Sequence, residues 1–179
     1  MLSFIVPAHD EEASIEATVR AIDAAAAVVS PREIIVVDDA STDRTARLAA
    51  AAGARVIAVD LRQIAAARNA GARAALGDIF VFVDADTIIA SDVVAGLVRA
   101  MAEGAVGGGA AVRFDEPTPR WVRLVLPFSI WLARRFRITG GCFLFCSRTA
   151  FRRSAGSTKR CSHRKRFVCA ISCVRGATS

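Results

Sequence analysis

No stretch of eighteen uncharged apolar residues occurs in this 179-residue sequence, so no ordinary membrane-spanning helix is predicted. The first residues lack a basic segment followed by a cleavage site, and we expect a first strand there rather than a secretory signal. These two absences predict a cytoplasmic location, either free in the cytoplasm or at the inner face of the membrane. Lysine is absent before Lys159, and no Asp or Glu follows Glu116.

The uneven distribution of charge divides the chain near Arg152. Residues 1–151 contain sixteen arginines and all seventeen acidic residues, whereas residues 152–179 contain eight Lys and Arg residues and no acid. The net charge of +7 therefore arises in the last segment, which also holds three of the five cysteines. We predict one folded domain over residues 1–151 and a separate basic tail over residues 152–179. No specific nucleic acid is expected as a partner of the domain.

Short apolar runs alternate with segments of helical periodicity, which predicts an α/β fold. Because the strand segments are continuously apolar, we expect a mainly parallel sheet with helices on both faces. The predicted strands are Leu2–Pro7, Glu33–Val37, Arg55–Val59, Ile79–Val83, Val106–Phe114 and Ile138–Ser147. The predicted helices are Asp10–Val28, a helix capped by Ser41–Asp43 that runs to Ala52, Arg62–Leu76 and Ser91–Glu103.

Three acidic clusters follow predicted strands, namely His9–Glu12, Asp38–Asp43 and Asp84–Asp86. In a parallel sheet these clusters meet at the carboxyl edge, where ligands bind. Carboxylates so close together would repel each other without a cation. If the chain stays extended, Asp84 and Asp86 face the same side and offer hard oxygen ligands to Mg²⁺ or Mn²⁺ bound to a diphosphate. The alternative is a polar turn that caps the next helix.

Two further features point to a ligand at the same edge. Either acid of Asp38-Asp39 could accept a hydrogen bond from a base N–H or a ribose hydroxyl, while Ser41 or Asp43 caps the following helix. The guanidinium of Arg68 suits a phosphate or an acidic partner, although an arginine on a solvated helix face is an equally ordinary interpretation.

In order and spacing, four segments resemble the inverting family 2 of GT-A glycosyltransferases. They are Phe4–Glu12 (FIVPAHDEE), Ile35–Asp43 (IVVDDASTD), Ala67–Gly71 (ARNAG) and Val83–Asp86 (VDAD). In their order and spacing, the resemblance extends over about residues 2–150. The resemblance implies a GT-A fold with a Rossmann-like nucleotide-binding sheet, and transfer of a sugar with inversion from a nucleoside-diphosphate sugar to an acceptor hydroxyl or phosphate.

The resemblance also implies roles for individual residues. Pro7, Glu11 and Asp39 would hold the base and ribose of the donor. Arg68 would line the donor site, and Asp84 would contact the ribose or sugar. Asp86 would bind the Mn²⁺ or Mg²⁺ cofactor. The sequence departs from the family at His9-Asp10, where an aromatic or other residue followed by Asn is common, and this difference could alter the contacts to the base.

Other functions are less well supported by the sequence. A sugar-1-phosphate nucleotidyltransferase would carry a glycine-rich phosphate loop after its first strand, and His9–Glu12 is not such a loop. A non-catalytic nucleotide-sugar-binding or nucleic-acid-binding fragment is the non-enzyme alternative. Trp121–Phe136 is either an amphipathic segment that contacts a membrane and a lipid-linked acceptor, or a core segment with snorkelling arginines. Gly140–Phe143 matches the family's glycine-rich strand near the acceptor, and the thiols of Cys142 and Cys146 are expected to be buried rather than to bind metal.

The tail departs from the family where a general base is expected. The family has a segment of the type G-G-F-D-E followed by an acidic pair, but residues 153–161 contain no acid. Back-translation with GC-rich codons, shifted by one nucleotide at Ser154, gives L-G-G-F-D-E. Our hypothesis is that residues from about 153 are out of frame or that the chain is truncated; an intact reading frame on resequencing would contradict it. The alternative is a polyanion-binding or zinc-binding tail that uses Cys161, His163, Cys169 and Cys173. In either case we expect a disordered or poorly packed tail.

Overall fold

The computed structural model describes residues 1–114, 143–154 and 167–175. Trp121–Phe136, most of the glycine-rich segment at 140–143, and the potential zinc ligands Cys161 and His163 lie outside these ranges. The elements, in chain order, are β1 (Leu2–Ala8), α1 (Ile15–Ala25), β2 (Arg32–Asp39), α2 (Thr45–Ala51), β3 (Arg55–Val59), α3 (Ile64–Ala74), β4 (Ile79–Val83), β5 (Thr87–Ile88), α4 (Ser91–Ala102), β6 (Gly107–Phe114), β7 (Phe143–Ser147), α5 (Arg148–Arg153) and β8 (Phe167–Arg175).

The strands form one sheet in the order β3-β2-β1-β4-β7-β6-β8-β5. The first four of these strands are parallel to one another, as the alternation of strands and helices predicts. Strand β7 then runs antiparallel between β4 and β6. The predicted α/β fold with a GT-A-type sheet is therefore confirmed, and the carboxyl ends of β1, β2 and β4 lie along one edge.

Each central strand is apolar throughout because both of its faces are covered. Alternate residues of β1 show this division: Phe4 and Val6 pack on one face with residues of α1 and α4, and Ile5 packs on the other face with residues of α3 and α5. All three side chains are fully buried. The continuous apolar runs are thus explained by a sheet between two layers of helices.

Glycine at position 71 brings α3 unusually close to the sheet. A Cβ atom at this position would lie 2.4 Å from Ile5 Cγ2 and 2.9 Å from Val37 Cγ2. Both distances are too short for van der Waals contact. The close approach sets the height of α3 above β1 and β2. It therefore also sets the position of Arg68, which lies three residues earlier on the same helix.

Two helices begin later than the sequence predicts. Helix α1 begins at Ile15 rather than at Asp10, because residues 10–12 form a loop whose backbone N–H groups donate to side chains of the β2–α2 connection. Helix α2 begins at Thr45, and Asp43 Oδ1 accepts its backbone N–H at 2.8 Å. Asp43 therefore accepts the first N–H of the helix, although the N-cap residue is Arg44 rather than Ser41 or Asp43. Ser41 accepts a hydrogen bond from Asp10 N–H instead.

Part of the basic tail has regular structure. Of the described residues in 152–179, Arg152 and Arg153 end helix α5, and Phe167–Arg175 pair as a strand with β6 and β5. The separate, poorly packed basic tail stays a prediction. None of the helices in the described ranges is long and apolar enough to cross a membrane.

Candidate functional site

A cavity of about 410 Å³ opens at the carboxyl ends of β1 and β2, beside the start of α3. Three of the residues predicted to hold a donor, Pro7, Glu11 and Asp39, line it together. The remaining lining residues are Ala8, His9, Arg62, Gln63, Ile64 and Ala67. Residues 62–64 were not predicted to line a site, although they follow a strand that ends at this same edge of the sheet.

Asp39 holds the β3–α3 loop in place. Its carboxylate accepts the backbone N–H groups of Leu61 (2.6 Å), Arg62 (3.0 Å) and Gln63 (3.1 Å). Arg62 has a φ of 47°, a left-handed conformation that is unusual for a residue with a side chain. Burial alone would raise the pKa of Asp39, but the three N–H donors and the nearby His9 lower it below its ordinary value. The side chain is therefore a structural anion that shapes one wall of the cavity.

His9 crosses from β1 to β2 at the mouth of the cavity. Its Nδ1 lies 2.6 Å from the backbone oxygen of Asp39, and because a carbonyl only accepts, the ring donates from Nδ1. The Nε2 atom lies 3.6 Å from Asp10 Oδ2. His9, which departs from the family pattern, therefore lines the cavity and contacts the strand that carries Asp39.

Hydrogen bonds in both directions join the β1–α1 loop to the β2–α2 loop. Backbone N–H groups of each loop donate to side chains of the other. These bonds are Asp10 N–H to Ser41 Oγ (3.0 Å), Glu11 N–H to Thr45 Oγ1 (2.8 Å), Glu12 N–H to Asp43 Oδ2 (3.0 Å), Thr42 N–H to Asp10 Oδ1 (2.7 Å) and Arg44 N–H to Glu12 Oε2 (3.1 Å). We name this set the loop lock.

The loop lock explains how several carboxylates can lie close together at this edge. A side-chain hydrogen bond from Arg44 lowers the pKa of Glu12. Burial would raise the pKa of Asp43, but hydrogen bonds from Thr45 and from the N–H of Glu12 lower it overall. The expectation that these acids need a cation to relieve their repulsion is therefore incorrect for Asp10, Glu12 and Asp43, because N–H, hydroxyl and guanidinium donors already stabilise them.

Arg68 forms a salt bridge with Asp84 and so joins α3 to the end of β4. The side chains of Arg68 and Asp84 are only 12% and 16% exposed. An ion pair that is largely removed from water fixes the positions of both side chains. Separating the two side chains would leave two partly buried charges, each without its opposite charge. The interpretation of Arg68 as a solvated surface residue is therefore incorrect, and its guanidinium instead sets the orientation of Asp84.

Asp84-Ala85-Asp86 forms a turn rather than an extended segment. The backbone N–H of Thr87 donates to Asp84 O at 3.1 Å, and Thr18 Oγ1 donates to Ala85 O at 2.7 Å. Ala85 is buried, whereas Asp84 and Asp86 are both half-buried. The turn of the polar-turn alternative is therefore present, but it does not cap the next helix, whose N-cap residue is Ala90. The two carboxylates still lie on either side of buried Ala85.

The arrangement of acids limits how a cation could bind. Within residues 1–114, 143–154 and 167–175, no group of three or more His, Cys, Asp or Glu side chains is placed to hold a metal ion. Mg²⁺ characteristically takes one or two carboxylates and completes its shell with water and phosphate oxygens. A site of that type would need only the carboxylates of Asp84 and Asp86 from the protein, with water and phosphate oxygens as the other ligands.

The predicted site residues thus fall into two adjacent groups. Pro7, Glu11 and Asp39 share the cavity, whereas Arg68, Asp84 and Asp86 are not among its lining residues. Ala67 connects the two groups, because it lines the cavity and immediately precedes Arg68. The whole arrangement is an elongated edge with a pocket at one end and a carboxylate turn at the other.

The chain resembles known sequences over most of its length. The model of the family described as "Glycosyl transferase family 2" matches residues 3–157. An undecaprenyl-phosphate 4-deoxy-4-formamido-L-arabinose transferase from Pseudomonas aeruginosa is 32% identical over 190 aligned positions, which cover 94% of this chain. The alignment covers 52% of that transferase, so the chain spans about half the length of the curated relatives it matches.

Solved structures share the fold. Glucosyl-3-phosphoglycerate synthase from Mycobacterium tuberculosis is 24% identical with a TM-score of 0.69, over 100% of this chain and 72% of that one. The same enzyme has been solved with Mn²⁺, UDP and glucosyl-3-phosphoglycerate. A mannosyltransferase from Pyrobaculum calidifontis, in complex with GDP-Man and Mn²⁺, is 22% identical with a TM-score of 0.76, over 99% of this chain and 57% of that one.

Proposed function

This chain belongs to glycosyl transferase family 2, and we propose that it binds a nucleoside-diphosphate sugar along the edge that carries the cavity and the Asp84–Asp86 turn. The observation that carries the proposal is the joint placement of Pro7, Glu11 and Asp39 around one 410 Å³ cavity, adjacent to the Arg68–Asp84 pair. The reaction proposed is transfer of the sugar, with inversion, to an acceptor hydroxyl or phosphate. The family match does not favour the alternative of a sugar-1-phosphate nucleotidyltransferase.

The nucleoside is proposed to occupy the cavity. Ile64 is 56% exposed and lines it, so a planar base could cover apolar surface that water now contacts. Glu11 offers a carboxylate to ribose hydroxyls or to a base N–H. Three of the acceptor positions of Asp39 are already used by backbone N–H groups, so its proposed contribution is a single acceptor position together with the shape of the β3–α3 loop.

The diphosphate and sugar are proposed to lie towards β4. Asp86, with Asp84 beside it, would hold a Mn²⁺ or Mg²⁺ ion together with phosphate oxygens, in keeping with the Mn²⁺ and GDP-Man of the P. calidifontis mannosyltransferase. Such an ion stabilises the negative charge that develops on a diphosphate leaving group. Arg68 would keep Asp84 oriented towards the ribose or sugar, and its guanidinium would place a positive charge close to the proposed phosphates.

The acceptor is proposed to carry a phosphate on a lipid. The P. aeruginosa relatives are undecaprenyl-phosphate transferases by name, and Trp121–Phe136 has the tryptophans and arginines of a segment that contacts a membrane surface. No carboxylate follows Glu116 in these 179 residues, and the family's general base is expected in that part of the sequence. We therefore propose that these 179 residues bind the donor and transfer its sugar slowly or not at all.

The proposal is tested by calorimetric titration of the protein with UDP, GDP and CDP, each with and without Mn²⁺. One or more nucleotides should bind more tightly with Mn²⁺, and Asp86→Ala should abolish that gain. Asp92→Ala is the matched control, because Asp92 is an exposed acid on α4. If none of these nucleotides binds, or if Asp86→Ala and Asp92→Ala retain the same Mn²⁺ dependence, the proposed donor site is wrong.

A further inference from the structure

A second cavity, of about 170 Å³, lies at the opposite end of the sheet from the donor cavity. Phe80, the second residue of β4, lines it, whereas the donor cavity lies beyond the carboxyl ends of β1 and β2. Its other large lining side chains are Phe151 and three arginines, Arg73, Arg148 and Arg152. No acidic residue lines this cavity, which we name the arginine pocket.

Arg148 is held rigidly in the arginine pocket. Its Nε–H donates to Gly77 O at 2.8 Å, and its Nη2 donates to Ala75 O at 2.6 Å. The guanidinium also lies over the ring of Phe80, with its central carbon 5.5 Å from the ring centroid. A guanidinium has five N–H donors, and these two bonds use two of them. A fixed charge with further donors is therefore available beside the cavity.

The other two arginines add positive charge to the pocket. Arg73 and Arg152 are exposed, and no salt bridge in the described parts of the chain involves either of them or Arg148. Six other arginines do form salt bridges with Asp or Glu: Arg20, Arg32, Arg44, Arg55, Arg62 and Arg68. Arg47 and Arg99 are also exposed and form no salt bridge within the described residues, so the distinguishing feature of the arginine pocket is that three arginines without a salt bridge line one cavity.

Helix dipoles explain only part of this arrangement. Arg73 lies in the last turn of α3 and Arg152 in the last turn of α5, where cations are favourable. That preference does not require both turns to open onto one cavity. Arg152 also follows Arg148 by four residues on α5, a spacing at which two like charges destabilise a helix. An anion between the arginines would relieve this repulsion.

We propose that the arginine pocket binds a phosphate group, carried either by a small molecule in solution or by a lipid headgroup. Arginine recognises phosphate through paired N–H contacts, and three guanidinium groups match the charge of a phosphate monoester better than that of a single carboxylate. The apolar floor of Phe80 and Phe151 excludes water from one side and strengthens such contacts. This inference does not depend on the donor site, because it uses a different cavity.

The test follows thermal unfolding of the whole chain as inorganic phosphate is added at constant ionic strength. The unfolding temperature should rise with phosphate and then saturate. In the double variant Arg73→Gln/Arg152→Gln the apparent affinity should fall by about tenfold or more, because at least one charge-assisted contact is lost. The matched control is Arg47→Gln, since Arg47 is an exposed arginine on α2 without a salt bridge, and its response should equal that of the unaltered protein.

A second arm separates the two sources of phosphate. Flotation with vesicles of phosphatidylcholine, with and without phosphatidic acid, detects binding of a lipid headgroup, and the same variants are compared. Loss in the double variant of either the response to inorganic phosphate or the binding to phosphatidic acid supports the proposal. If the double variant does not fold, Arg152→Gln alone replaces it. Equal responses in the variant and in Arg47→Gln, or no response of the unaltered protein in both arms, would overturn the proposal.

Discussion

Replacing Asp39 with Asn removes the negative charge that holds the β3–α3 loop while almost conserving the shape of the side chain. The carboxylate accepts three backbone N–H groups, two at Oδ1 and one at Oδ2. An amide keeps one oxygen but presents an NH₂ group in place of the other. In either orientation of the amide, at least one part-buried N–H of the loop then faces a donor instead of an acceptor.

The cost can be estimated from general hydrogen-bond energetics. A hydrogen bond to a charged group contributes about 1.5–3 kcal/mol, and a buried donor left without an acceptor costs about 1–3 kcal/mol. Because Asp39 is only 5% exposed, water cannot readily replace the lost acceptor. We expect Asp39→Asn to lower the free energy of unfolding by about 2–4 kcal/mol.

Urea denaturation of the two proteins measures this difference directly. Asp60→Asn is the control, because Asp60 is the first residue of the same loop, is 74% exposed and makes a surface salt bridge with Arg62. That substitution should cost less than about 1 kcal/mol. If Asp39→Asn and Asp60→Asn change the free energy of unfolding by the same amount, Asp39 does not stabilise the loop in the way described here.

Two glycines in helices should respond in opposite ways to substitution by alanine. Gly71→Ala should destabilise the protein by about 1–3 kcal/mol, because the new methyl group overpacks the sheet. Gly96→Ala should stabilise it by up to about 1 kcal/mol, because the new Cβ would meet nothing within 4 Å. Urea unfolding of both variants checks this, and destabilisation by both would contradict it. Acid should also destabilise the protein, because the pKa values of Glu33, Asp39 and Asp43 lie below their ordinary values of 4.5, 3.8 and 3.8. The contribution of these carboxylates to stability is complete above those values and is lost as the pH falls towards the lower pKa values of the folded state. A urea midpoint that does not change across that pH range would refute this prediction.

The strands were predictable because their signal is local. Continuous apolar runs located β3 and β4 to the residue, and they located β1 and β2 within two residues at each end. The edge that carries the candidate site was predictable for a related reason, since parallel strands bring their following loops to one edge whatever the details of packing. Pro7, Glu11 and Asp39 therefore meet around one cavity as expected.

The details that the sequence did not predict depend on partners far away in the chain. Helix α1 begins five residues late because residues 10–12 bond to side chains about thirty positions away. The turn at Asp84–Asp86 is anchored by Thr18, which is 67 positions away. The antiparallel placement of β7 depends on pairing with β4 and β6, and apolar patterning carries no information on strand direction.

The loop lock has a consequence for exchanging parts between members of the family. Residues 10–12 and 41–45 satisfy each other's N–H groups, so neither loop has its hydrogen-bonding partners without the other. A loop transplanted alone from a relative with different side chains would leave N–H groups of both loops without acceptors. The two loops are therefore a single transferable module, and an exchange between members of the family would have to graft them together.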